Sequence, residues 1–211
     1  MKVSPSKENI LKKIRKALTQ STPLPFPNNE GNISVYKTQS QELEVEFAEQ
    51  FIALQGRFVF CVNRQELAFQ FNSLIKKQSW EKVFCAEPKI LELVGSQSPD
   101  RFTPDDLADC DVSVTSCEFL VARTGSIVMS AAQSMGRTAS VYAPVHICIA
   151  FSNQLVYDVK DALALSKEKY KDKLPSLITF ATGPSRTADI EKTLVVGVHG
   201  PKEVYCFLVD A

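Results

Sequence analysis

The chain has 211 residues, 45% of them apolar, and its 24 basic side chains balance 24 acidic ones. Zero formal charge excludes the broad basic field that general nucleic-acid or membrane-surface binding requires. That length supplies one sizeable core with room for a small N-terminal appendage, and no apolar run approaches a bilayer span.

The N-terminus alternates Lys with apolar residues and lacks the continuous apolar stretch of a secretory signal, so a soluble, cytoplasmic protein is expected. Ser4 followed by Pro5 sets a cap and then a proline at the first helical position. Ile10, Leu11, Ile14 and Leu18 recur at helical spacing, with Lys7, Lys12, Lys13, Arg15 and Lys16 mostly off that stripe. Such a helix can touch a membrane or a partner, or pack on its own domain. Pro23, Pro25 and Pro27, with Asn28, Asn29 and Gly31, then form a stiff irregular linker. The expected organisation is a helical arm with its linker over 1–32 and a single α/β domain over 33–211.

Leu43, Phe47, Phe51 and Leu54 mark a second helix, stopped by Gly56, and 57–62 reads as a buried strand. Leu67, Phe71, Leu74 and Ile75 mark a third helix before a strand at 82–86. Pro88 opens a short helix ending near Gly95, and a polar loop through Pro99 and Pro104 leads to a strand at 111–115. A short helical turn is expected over 117–121, then a break at Thr124 and Gly125 and a strand at 126–130. The runs 145–151 and 155–157 read as a further strand pair, and 158–172 as a helix with a lysine-rich wet face. The pattern predicts an α/β fold, an open mixed sheet with helices on both faces and some antiparallel pairing. In such sheets ligands sit beyond the carboxyl ends of strands.

Of six cysteines, Cys61, Cys85, Cys148 and Cys206 lie in apolar runs, where Cys behaves as a small hydrophobe. Only Cys110 and Cys117 are close. Without a C-x-x-C pair, zinc or iron–sulfur ligation by this chain is not expected, and reduced thiols are. Neither G-x-G-x-x-G nor a P-loop occurs, so no dinucleotide or P-loop cofactor is indicated, and no G-x-S-x-G elbow is present.

Chemistry concentrates near the C-terminus. Residues 183–201 place two Gly/Pro breaks around a short mixed-charge segment, between apolar runs at 176–180 and 204–209. This predicts strand, turn, short helix, turn, strand, with Ser185 or Thr187 capping the helix and Asp189 and Glu191 at its positive end. Gly197 fits the left-handed position past its end. Ser185, Arg186 and Thr187 would offer hydroxyls, amides and a forked cation to a carboxylate or phosphate. Equally, they describe a well-capped helix whose Arg186 pairs with Asp189 or Glu191.

His146 and His199 are the only histidines. Together they can supply acid–base catalysis, or bind a metal with Asp189 or Glu191, or simply bond to nearby backbone. No local pair such as H-x-H supports the metal, so none is expected. Arg123, Thr124, Gly125 and Ser126 form a second polar turn able to face residues 185–187 across a cleft, and Arg137 is a further loop cation.

Several of these segments resemble the LUD-domain family, of the lactate-utilisation type. Gly-Pro-Ser-Arg-Thr-Ala-Asp-Ile-Glu from Gly183 and Gly-Val-His-Gly-Pro from Gly197 resemble its signature. Residues 122–126 resemble its Ala-x-Thr-Gly-Thr segment, Pro144 to Ile147 its Pro-x-His-Ile, and Arg137 an Arg preceding it. The resemblance is close over 100–211 and holds in outline before that. It implies a fold similar to the sugar-phosphate isomerase and CoA-transferase group, whose sites bind anions. It also implies a place in a bacterial system oxidising L-lactate to pyruvate, beside partners that carry iron–sulfur clusters. The sequence departs from the family at Arg123, a commonly acidic position, which adds positive charge to the expected cleft, and at Ser126, usually Thr. The reading is a non-redox subunit with an anion-binding cleft, in which Ser185, Arg186 and Thr187 hold the anion and the two histidines orient or protonate it. The alternatives are a ligand-free scaffold docking partners through its arm, or an isomerase or acyl-transferase using Glu118 or Glu191.

Overall fold

The computed structural model describes residues 5–19, 39–95, 99–103, 106–187 and 195–210. The linker prolines, Pro104, Asp189 and Glu191 lie outside them. The chain divides into two units, Met1–Thr38 and Gln39–Ala211. In the first, α1 (Pro5–Leu18) is the expected amphipathic helix, and its Ile10, Leu11 and Ile14 are exposed.

The second unit is built from four layers. Its centre is an all-parallel sheet of β1 (Arg57–Cys61), β2 (Val83–Phe84), β3 (Val112–Thr115), β6 (Val145–Phe151) and β11 (Glu203–Val209), ordered β1-β11-β6-β3-β2. The central β6 and β11 are near-continuous apolar runs, the pattern a strand buried on both faces needs, while the edge strand β1 leaves Phe60 exposed. One face packs on α3 (Arg64–Gln78) and α4 (Pro88–Val94), through Leu67, Phe71, Ile75, Ile90 and Val94. Asn63 starts α3 by accepting from the Glu66 amide at 2.9 Å, while the Glu66 carboxylate accepts from the Val62 amide. Pro88 opens α4 as expected.

The other face meets a second sheet of β4 (Phe119–Val121), β5 (Ser126–Ser130), β7 (Leu155–Val156) and β8 (Ile178–Ala181), ordered β7-β4-β5-β8. The antiparallel pairing lies here, β4 with β5 and β5 with β8. Phe47 and Phe51 of α2 (Leu43–Ala53) complete the layer between the sheets. On the outer side, Val121, Val128 and Val156 pack on Ala162 of α6 (Val159–Tyr170). All six cysteines are free and buried.

Three local expectations change. Residues 119–121 are a strand rather than a helical turn, because Leu120 faces the inter-sheet core while Phe119 and Val121 face α6. The runs at 145–151 and 155–156 do not pair with each other: the helical turn Ser152–Gln154 carries the chain from the first sheet to the second. Arg186 and Thr187 stand in a strand, β9 (Arg186–Thr187), antiparallel to β10 (Val195–Val196). The short helix expected after them falls on 188–194, outside the described residues. Gly183 and Gly197 both take the left-handed φ that favours glycine, +79° and +78°, at the entry to β9 and just after β10. α5 (Ala139–Tyr142) is a single turn leading into β6.

Candidate functional site

Successive β6 side chains alternate faces, so Val145, Ile147 and Ile149 enter the helix-side core while His146 points with Cys148 toward the second sheet. His146 is 1% exposed. One ring nitrogen, Nε2, shares a 2.9 Å hydrogen bond with Thr115 Oγ1 of β3. Burial pushes its pKa down from 6.5 to about 4, so the ring is neutral at pH 7.

His199 reaches the same place from a different element. The Ser185 amide donates to the Pro201 carbonyl at 3.0 Å and the Gly197 amide to the Ser185 carbonyl at 2.9 Å, which laces the turn after β8 to the turn after β10. Gly200 permits this approach: a Cβ there would lie 2.9 Å from that of Ser185. Between the turns, β6 and β8 is a cavity of about 210 Å³, lined by His146, His199, Ser185, Thr179 and Ser140 among others. Among the described residues, no carboxylate and no Lys or Arg lines it. It therefore offers hydroxyls and imidazoles to a small polar ligand, with His146 sealed inside and His199 exposed at the mouth.

The other expected site residues that are described do not line this cavity. Arg186 is exposed and donates to the Leu54 carbonyl at 2.6 Å, closing the end of α2. Thr187 is half-buried in β9. Ser126 Oγ bonds Thr124 Oγ1 at 2.7 Å and Thr182 Oγ1 at 2.8 Å, tying that turn to the base of the Gly183 turn. Gly125 lies against the α2 backbone, where a Cβ would come within 2.7 Å of the Phe51 nitrogen. Arg137 donates to the Ser176 hydroxyl.

Arg123, the departure expected to charge the cleft, is committed elsewhere. Its Nε donates to Asp158 Oδ2 at 2.7 Å, and Asp158 caps α6 through the Lys160 amide. Burial alone would raise the Asp158 carboxyl, but the hydrogen bonds from Arg123 and the Lys160 amide outweigh it and hold the pKa below the usual range. Glu118 is likewise occupied. Ser130 and Tyr170 donate to its Oε1 and Lys169 to its Oε2, each at 2.6 Å. Its desolvation is outweighed by the Lys169, Ser130 and Tyr170 hydrogen bonds, so it stays ionised, and it does not line the cavity.

Thr115, Ser140 and Thr179 escape sequence reasoning because lone hydroxyls in apolar runs carry no signal. Among the described residues, no group of three His, Cys, Asp or Glu side chains is placed to hold a metal ion, and no helix is long and apolar enough to cross a membrane.

Residues 8–209 match the model of the LUD domain family. The lactate utilization protein C of Bacillus licheniformis is 36% identical over 102 residues, 47% of this chain and 42% of that protein. This chain thus matches less than half the length of that relative. The protein of the same name from Geobacillus thermodenitrificans is 30% identical over 177 residues, 82% of this chain and 72% of its own length. The backbone resembles the crystal structure of a DUF162 family protein from Deinococcus radiodurans, with a TM-score of 0.61 across 79% of this chain and 96% of that one. At 17% identity that likeness is one of fold alone. Since the family match runs from α1 to the end of β11 and takes in both histidines, the chain belongs to the LUD-domain family.

Proposed function

We propose that this chain is the non-redox subunit of a cytoplasmic lactate-utilisation system, holding a small carboxylate or phosphate between His146, His199 and Ser185. The observation that carries it is a cavity in which both histidines of the sequence meet and which no described carboxylate lines. The relatives named for lactate utilisation supply the system, and oxidation of lactate itself falls to iron–sulfur partners. The chain lacks the C-x-x-C pairs that such clusters use, and its cysteines are buried.

The two imidazoles have different tasks. With a pKa of about 4, His146 is a weak base at pH 7, so it orients the anion by hydrogen bonding, and His199 at the mouth moves any proton. Titration calorimetry of the full chain with L-lactate, pyruvate and inorganic phosphate tests the reading. At least one should bind, and Ser185→Ala and His199→Ala should each weaken it about tenfold, or ~1.4 kcal/mol. Arg186→Ala should bind nearly as wild type, because that guanidinium serves the Leu54 carbonyl. Silence with all three ligands, or wild-type binding by both cavity variants, would remove the anion site.

A scaffold reading draws on α1, whose exposed Ile10, Leu11 and Ile14 sit beside five basic residues. If it holds, deleting α1 abolishes co-purification with the iron–sulfur partners without affecting anion binding.

A further inference from the structure

We propose that the His146–His199 cavity is the inner half of a two-chamber site for a short dianionic organic acid, whose second anionic group is held by Lys202. This rests on the anion-holding role of the inner cavity and extends it outward.

A second cavity of about 350 Å³ adjoins the first. The two share Val141, His199 and Gly200, so His199 lines both. The outer chamber adds Tyr142, Val198 and Lys202. It is an open recess with mixed polar and apolar walls, and Lys202 is its one ammonium among the described residues. Among the described residues no carboxylate lines either chamber.

The inner volume of about 210 Å³ is smaller than the ~300 Å³ at which pockets begin to hold drug-sized molecules. It accepts a small acid head and little more. That head meets only neutral donors at the inner end, since burial keeps His146 uncharged at pH 7. A full positive charge is offered one chamber further out. The root of Lys202 is fixed by its backbone amide, which donates to the Pro144 carbonyl at 2.8 Å. Its stem lies across Gly197, where a Cβ would come within 2.1 Å of Lys202 Cγ, so the side chain is laid along the chamber wall. Among the described residues Lys202 forms no ion pair, and its head is exposed.

A monocarboxylate therefore gains hydrogen bonds alone, while an acid with a second anionic group also reaches a cation. A dicarboxylate and a phosphorylated three-carbon acid share this chemistry, and matched pairs separate them. L-malate is L-lactate with a second carboxylate, and phosphoenolpyruvate is the phosphorylated enol of pyruvate.

Calorimetry on the full chain and on Lys202→Met and Lys202→Arg decides the matter, Met preserving the stem over Gly197. At least one dianion should bind about tenfold more tightly than its monoanionic counterpart. Lys202→Met should erase that gain and leave lactate and pyruvate unchanged, and Lys202→Arg should retain it. If each dianion binds like its counterpart, or keeps its advantage in Lys202→Met, the two-chamber site is wrong and the inner cavity reading stands. If none of the four acids binds, the two-chamber site is wrong, and if inorganic phosphate is silent as well the inner cavity reading falls with it.

Discussion

A histidine that is 1% exposed and neutral makes the native state sensitive to acid. Unfolded, His146 titrates near 6.5; folded, it does so at about 4. Between those values the unfolded chain takes up a proton that the native chain refuses, so stability falls as pH drops through that window and the loss levels off below it. At 1.36 kcal/mol per pH unit the full loss is about 3 kcal/mol. Glu118 and Asp158, whose pKa values are depressed, act in the same sense at lower pH: their contribution is present above the unfolded carboxylate range and is lost as pH falls through their folded values. His146→Gln isolates the imidazole. Its melting temperature should decline less than that of wild type between pH 6.5 and pH 4. Parallel curves would mean that the buried ring does not govern this range. At this scale the sequence was informative where residue types are rare. Two histidines in the whole chain could be singled out, whereas the Thr115 hydroxyl that fixes one of them could not.

Helix α6 shows how an isolated charge becomes part of an element. Asp158 accepts from the Lys160 amide and from Arg123 at once, so one carboxylate both caps a helix and anchors the turn before β5. Asp158→Ala removes the cap and leaves the half-buried Arg123 without its partner, at a cost of about 2 kcal/mol in urea unfolding. Asp158→Asn retains a capping oxygen and loses the charge, so its cost should be roughly half as large. Equal costs would show that the capping oxygen contributes nothing, and a costless Asn variant would show the same of the charge that faces Arg123. Buried parallel strands and long helices were legible because their periodicity is local. The antiparallel pairing of β9 with β10 was not. Ser, Arg and Thr after Gly-Pro satisfy the local chemistry of a helix start, whereas Arg186 and Thr187 pair as a strand with Val196 and Val195. Likewise, three residues at 119–121 are too few to show a period, and their strand character comes from cores on two sides.

Across the whole molecule, the last strand closes the first sheet. β11 lies between β1 and β6, and in the parallel sheet β1 pairs with β11 alone. A strand from the start of the domain therefore waits for one from its end, a long-range pairing that is entropically costly and slow to form. The same event builds the site. Val204 of β11 is in register with His146 of β6, and the Pro201 carbonyl just before that strand holds the Ser185 amide. Ending the chain after Lys202 removes Val204, Cys206 and Leu208 from the inter-sheet core and Tyr205, Phe207 and Val209 from the helix-side core. That exceeds the about 3–5 kcal/mol lost when a single buried Phe becomes Ala, and it strips β1 of its ladder. Such a chain should lose its near-ultraviolet dichroism and cooperative melting, and with them all anion binding. Phe207→Ala should keep both and unfold at lower urea. Should the truncated chain melt cooperatively instead, the first sheet would have to stand without its central partner, and the histidines would meet for some reason other than the docking of β11.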